Sequence, residues 1–92
     1  MSLNPHRRAA RDALLEALGL RPPEIARVEL DRALGEVLDG GERKFLRQRL
    51  RALRDHLTSR HWRGVAECVE RANQALLAEK ATHRYDGKGR PR

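Results

Sequence analysis

The chain has 92 residues, with 20 Lys and Arg against 13 Asp and Glu, a net charge of +7 and a pI near 11.0. That length holds one domain and excludes two independent cores. The charge points to an anionic partner, nucleic acid first. Leu, Ile, Val and Phe together make 20 residues, just above the level at which a charged chain stays unfolded. A core so thinly supplied gains from apolar cover by a second copy or a partner, so a homodimer is expected. Of the basic residues 17 are Arg; a GC-rich coding sequence explains that choice over Lys but not the net excess. The single cysteine, Cys68, excludes an internal disulfide and suits a reducing, cytoplasmic setting. No apolar run approaches the ~20 residues that cross a bilayer, and the first residues lack the apolar core of a signal peptide, so no membrane role is expected.

In chain order, Asn4 and Pro5 predict a helix start, because Asn can cap free amides and Pro tolerates the first helical position. Ala10, Leu14, Ala17 and Leu18 then share one face, and Gly19 is the expected left-handed terminator, which gives a first helix over 5–18. Arg21-Pro22-Pro23 forces an extended link. A second helix, 24–38, gathers Ala26, Leu30, Ala33, Leu34, Val37 and Leu38 on one side and points Ile25 and Val28 to the other, so it lies centrally or offers its second side to a partner. Asp39-Gly40-Gly41 ends it.

The third helix, 42–58, carries the clearest pattern: Leu46, Leu50, Leu53 and Leu57 recur at spacings of four, three and four, the seam of a packed helix pair. Thr58 and Ser59 are potential caps, and Val65, Val69, Ala72 and Leu76 repeat the spacing. An antiparallel hairpin turning near 58–61 follows. Cys68, Ala72 and Ala75 are small enough for close backbone approach. Phe45 is expected against helix two, Trp62 over the hairpin turn, and Tyr85 free near the end. The fold class is therefore all-α, a small bundle of about four helices whose last two form a hairpin, with residues 1–85 as one domain and 86–92 as a flexible basic tail.

Charge is distributed unevenly: residues 1–11 carry +3, 12–40 carry −4, 41–63 carry +6, 64–83 carry −1 and 84–92 carry +3. In helix three Arg43, Arg47, Arg51 and Arg54 fall within an arc of about 80° beside the leucine seam, flanked by Lys44, with Arg60 and Arg63 following. Cations one turn apart, roughly 5–6 Å, can follow successive phosphates, each contact releasing counterions. Only Gln48 on this helix is suited to reading base edges, so recognition of a duplex by backbone and shape, with DNA or RNA open, is the expectation. A competing possibility is a protein-interaction module: Ile25 and Val28 dock on a partner, the Arg row meets an acidic protein, or helix two neutralises helix three from within. Three aromatic residues are too few for a single-strand stacking platform.

Chemistry at a catalytic centre is not expected. His6, His56, His61 and His83 are scattered and, with Cys68, match no zinc spacing, so neither metal nor cofactor is implied. Cys68 reads as a buried structural thiol. Ser2 and Ser59 have no partner arrangement for nucleophilic work. Gly40-Gly41 could let the start of helix three meet an anion, although termination of helix two already explains both glycines.

Overall fold

Local signals in the sequence place four helices. In the computed structural model, which describes residues 3–87 and the side chains of 3–82, these are α1 (Pro5–Gly19), α2 (Glu24–Asp39), α3 (Arg43–Ser59) and α4 (Arg63–Gly87). No strand occurs among the described residues. Asn4 caps α1: its side-chain oxygen accepts from the Arg7 amide at 2.7 Å, satisfying an amide that has no intrahelical partner.

Two termination signals act differently from expectation. Gly19 stays helical; the left-handed residue is Arg21, at φ 58°, because the Leu20 and Arg21 amides first bond back to the Ala17 and Leu18 carbonyls. Thr58 and Ser59 do not cap the helix that follows. Their hydroxyls donate to the Arg54 and Asp55 carbonyls one turn back, so they finish α3 instead of starting α4. Gly40, by contrast, takes the left-handed conformation at φ 81°, and the Gly41 amide closes onto the Glu36 carbonyl at 2.7 Å.

Packing follows the apolar seams. α4 lies between α1 and α3, and α2 closes the other side by touching both α1 and α3, so consecutive helices are neighbours in an up-and-down bundle. Leu46, Leu50, Leu53 and Leu57 of α3 meet Val65, Val69, Ala72 and Leu76 of α4 in one buried core. Ala10, Ala13, Leu14 and Ala17 bring α1 in, and Ala26, Leu30, Ala33 and Val37 bring α2 in. So many alanines hold the backbones close, which suits a chain with few large apolar residues. Trp62 packs partly buried against the core beside the α3–α4 turn, while Phe45 is 55 % exposed and does not pack into the interior. Phe45 lies outside the leucine seam by angle, and α2 does not reach over to cover it. Helix two is peripheral: Ile25 and Val28 stand 66 % and 46 % exposed. The expected tail begins inside α4 for Asp86 and Gly87; residues 88–92 lie outside the described residues, as does the Tyr85 side chain. No described helix is long and apolar enough to cross a membrane.

The α3–α4 turn stores strain at His61, a non-glycine residue at φ 64° in a region that costs an L-residue about 1–2 kcal/mol. His61→Gly relieves it, offset in part by glycine's greater freedom when unfolded. The variant should gain roughly 0.5–1 kcal/mol in chemical denaturation, and an unchanged or lower midpoint would contradict this account of the turn.

Candidate functional site

The end of the bundle where α1 and α3 begin and α2 ends is tied together by one carboxylate. Glu79 projects from α4 and is 9 % exposed. It accepts from two groups at the start of α1: from the Asn4 side-chain amide at 2.8 Å and from Arg7 Nε at 3.1 Å. Arg43 Nη1 of α3 stands 3.5 Å away. Arg7, itself 7 % exposed, also donates through Nη2 to the Gly41 carbonyl at 2.8 Å and through Nη1 to the Val37 carbonyl at 3.5 Å. The second contact places a cation at the carbonyl end of α2, where the helix dipole favours it. Burial pushes the Glu79 carboxyl up, but the hydrogen bonds from Asn4 and Arg7, with the charges of Arg7 and Arg43, outweigh it and hold the group below its ordinary value of 4.5.

Above this floor opens a cleft of about 640 Å³, lined along α3 by Arg43, Lys44, Arg47, Gln48 and Arg51, with Lys80 of α4 opposite and Arg7 beneath. Gly40, Gly41 and Glu42 form its end wall. A side chain at Gly41 would be crowded, since its Cβ would meet the Glu36 Cβ and carbonyl oxygen of α2 at 3.1 Å. The start of α3 has no side-chain cap, so its first amides and the positive end of its dipole are left for solvent or an anion.

The structure divides the expected Arg row. Arg54 bonds to Glu70 of α4 at 2.6 Å and to Asp55 at 3.0 Å. Hydrogen bonds from Gln74 and then Arg54 in turn hold Glu70 below the ordinary carboxylate range. Arg43 leans on Glu79. Arg47, Arg51, Lys44, Arg60 and Arg63 have no carboxylate partner among the described residues. Arg47 is further distinguished by an Nε that is buried without any hydrogen-bond partner. Neutralisation of α3 by α2 does occur, but through Arg49, which pairs with Glu36 and stands 3.8 Å from Glu29. Arg49 lies across the seam from the row. Lys44, Arg47 and Arg51 thus form a cleft wall with free charge, while Arg60 and Arg63 sit at the opposite end of α3, beside the hairpin turn.

Four contributors to the site escape a reading of α3 alone: Asn4, Arg7, Glu79 and Lys80. Arg7 continues the spacing of Ala10, Leu14 and Ala17, and Glu79 continues that of Val65, Val69, Ala72 and Leu76. A charge at a seam position on each of two helices, with opposite signs, is a signal for a buried pair. Ile25 lies with Ala26, Glu29, Arg49, Ala52, Leu53 and His56 along a separate shallow groove between α2 and α3. Among the described residues no group of three or more His, Cys, Asp or Glu is placed to hold a metal ion. Cys68 is buried, and burial raises its thiol above the ordinary value despite the nearby Arg71.

Comparison with protein-family models, curated proteins and solved structures finds no significant match to this chain.

Because folding depresses the Glu79 pKa, its contribution to stability is complete above the ordinary value of 4.5 and is lost as pH falls through the lower folded value. Glu79→Gln should cost about 3 kcal/mol at pH 7 by leaving Arg7 buried without its counter-charge, and should flatten the acid limb of stability below pH 4.5. A variant whose stability tracks the parent at every pH would show that the pair is not coupled to folding.

Proposed function

We propose that this protein is a non-enzymatic, cytoplasmic nucleic-acid-binding protein that recognises the backbone and shape of a duplex through the free cations of α3, acting as a small regulator or architectural factor. The observation that carries this reading is that Lys44, Arg47 and Arg51 share one wall of a cleft and have no carboxylate partner among the described residues. Solvated helix faces ordinarily mix signs in i,i+4 pairs; this stretch keeps its cations apart from the acids that the neighbouring helices supply. Arg60 and Arg63 add cations without carboxylate partners among the described residues at the far end of α3, beside the hairpin turn. Arg54 contributes less, because a phosphate must compete with Glu70 and Asp55 for its guanidinium. A dimer joined along α3 brings two such walls together and doubles the number of phosphates met.

Gel mobility shift with duplex DNA and duplex RNA at two salt concentrations tests the reading. With four or five phosphate contacts the log–log salt slope should be about −4, and Arg47→Glu with Arg51→Glu should reduce its magnitude by about 2 and weaken binding to all duplex sequences alike. Affinity indifferent to both salt and charge reversal would exclude phosphate contacts by α3.

A second reading is supported by the outer side of α2, where Ile25 and Val28 are exposed and Ile25 lines a groove that continues to Ala52 and Leu53. Exposed apolar side chains at helical spacing suit docking by another protein chain, which makes the molecule an adaptor or inhibitor. Ile25→Asn with Val28→Ser should leave thermal stability within about 0.5 kcal/mol of the parent and abolish any complex formed through this face. Light scattering on the same variant shows whether the homodimer uses it.

A further inference from the structure

The cleft at the head of α3 concentrates more positive charge than a passing strand would neutralise. Six cations line it: Arg7, Arg43, Lys44, Arg47, Arg51 and Lys80. Two carboxylates stand against them, Glu42 on the end wall and Glu79 in the floor, the latter shared between Arg7 and Arg43. Six against two leaves four positive charges around about 640 Å³. A phosphodiester brings one negative charge, spread along a line; a phosphate monoester brings about −1.5 to −2 on a single phosphorus, and an oligophosphate brings more in the same small volume. We propose that this cleft is a binding site for a compact, multiply charged phosphate group, a phosphate monoester or oligophosphate, either free or carried at the end of a nucleic-acid strand. The strand-end source rests on the nucleic-acid reading above; the free source does not.

Three features of the cleft suit that ligand. Its end wall is the start of α3, which has no side-chain cap and lies beside Gly40 and Gly41, which bring no side chain; amides and dipole there complement an anion, with the Glu42 carboxylate on the same wall as the opposing charge. Arg47 has a buried Nε that makes no hydrogen bond. Swinging the guanidinium onto a phosphate oxygen therefore breaks no existing bond at Nε and relieves an unsatisfied donor, and the planar fork can engage two oxygens at once. Lys44 and Lys80 are exposed on α3 and α4, two flexible ammonium groups able to close over a ligand seated between the helices. Arg7 and Arg43 stay tied to Glu79 and act from the floor as fixed charge.

Isothermal titration of the 92-residue chain with pyrophosphate, together with mobility shift on 5′-phosphorylated, 5′-triphosphorylated and 5′-hydroxyl duplexes of one sequence, separates the sources. Saturable pyrophosphate binding, a preference of at least about fivefold for phosphorylated ends, and competition by pyrophosphate are the expected results. Lys80→Gln should weaken pyrophosphate and erase the end preference, Lys80→Arg should restore both, and Arg60→Gln with Arg63→Gln should weaken every duplex while leaving pyrophosphate untouched. Circular dichroism on each variant confirms the fold. Pyrophosphate binding without any duplex binding would sink the nucleic-acid reading and establish the cleft as a site for free phosphate compounds. Equal affinity for all three duplexes with no pyrophosphate heat would overturn the cleft proposal and leave backbone binding standing.

Discussion

The Glu79 carboxylate is the point on which the geometry of this small bundle depends. It joins α4 to the start of α1 through Asn4 and Arg7, and Arg7 in turn holds the last turn of α2 and the Gly41 carbonyl before α3. Seams built largely of Ala and Leu define which faces meet more firmly than they define how far one helix slides along another. A buried ion pair that must be satisfied supplies that register, since a slip of one turn separates Arg7 from Glu79 and leaves two charges in the core. At the opposite end a weaker tie, Arg71 to Glu16 at 3.0 Å, lies in solvent and is screened accordingly.

Register has an electrostatic consequence for α3. α4 carries Glu70 and Glu79 on either side of the level of Arg47, and the first draws off Arg54 while the second is occupied mainly by Arg7. The acids of α2 reach only the other flank of α3, at Arg49. Positive charge therefore survives around Arg47 for a reason: the neighbouring helices pair their carboxylates with Arg54, Arg43 and Arg49, and opposite Arg47 they offer none. The buried Arg47 Nε without a partner is the outcome of that arrangement. Such a donor costs about 1–3 kcal/mol, which the fold tolerates.

Periodicity carried the architecture. Spacings of three and four in α3 and α4 named eight buried positions and their pairing, because an a/d seam allows one contact geometry. Asn4 and Gly40 were legible for the same kind of reason, each being a residue whose side chain or backbone freedom performs the cap. Arg21 and His61 were not: a left-handed conformation at an Arg or a His is imposed by closure of the turn against the sense of local preference. Phe45 misled, since an aromatic ring suggests burial whereas its angle on α3 lies away from the leucines. At the site, the net charge of α3 could be read directly, but its division into paired and free cations could not, because that depends on which levels of α3 and α4 face each other. Arg7 and Glu79 were missed, although a charge at a seam position on each of two helices marks such a pair.

A basic stripe on an isolated helix makes the positions 43, 47, 51 and 54 equivalent, and counting them treats each as available to a phosphate. Packing makes them unequal: Arg54 is bound, Arg43 is shared, and Arg47 and Arg51 have no carboxylate partner among the described residues. The charge offered to a ligand is consequently shorter along the helix and deeper, with Lys80 contributed from a different element and the uncapped start of α3 behind it. A linear array favours a linear polyanion, whereas a recess favours an anion whose charge is gathered in one place. Folding has converted part of the first into the second, so the positive charge of α3 is presented as a recess as much as a stripe.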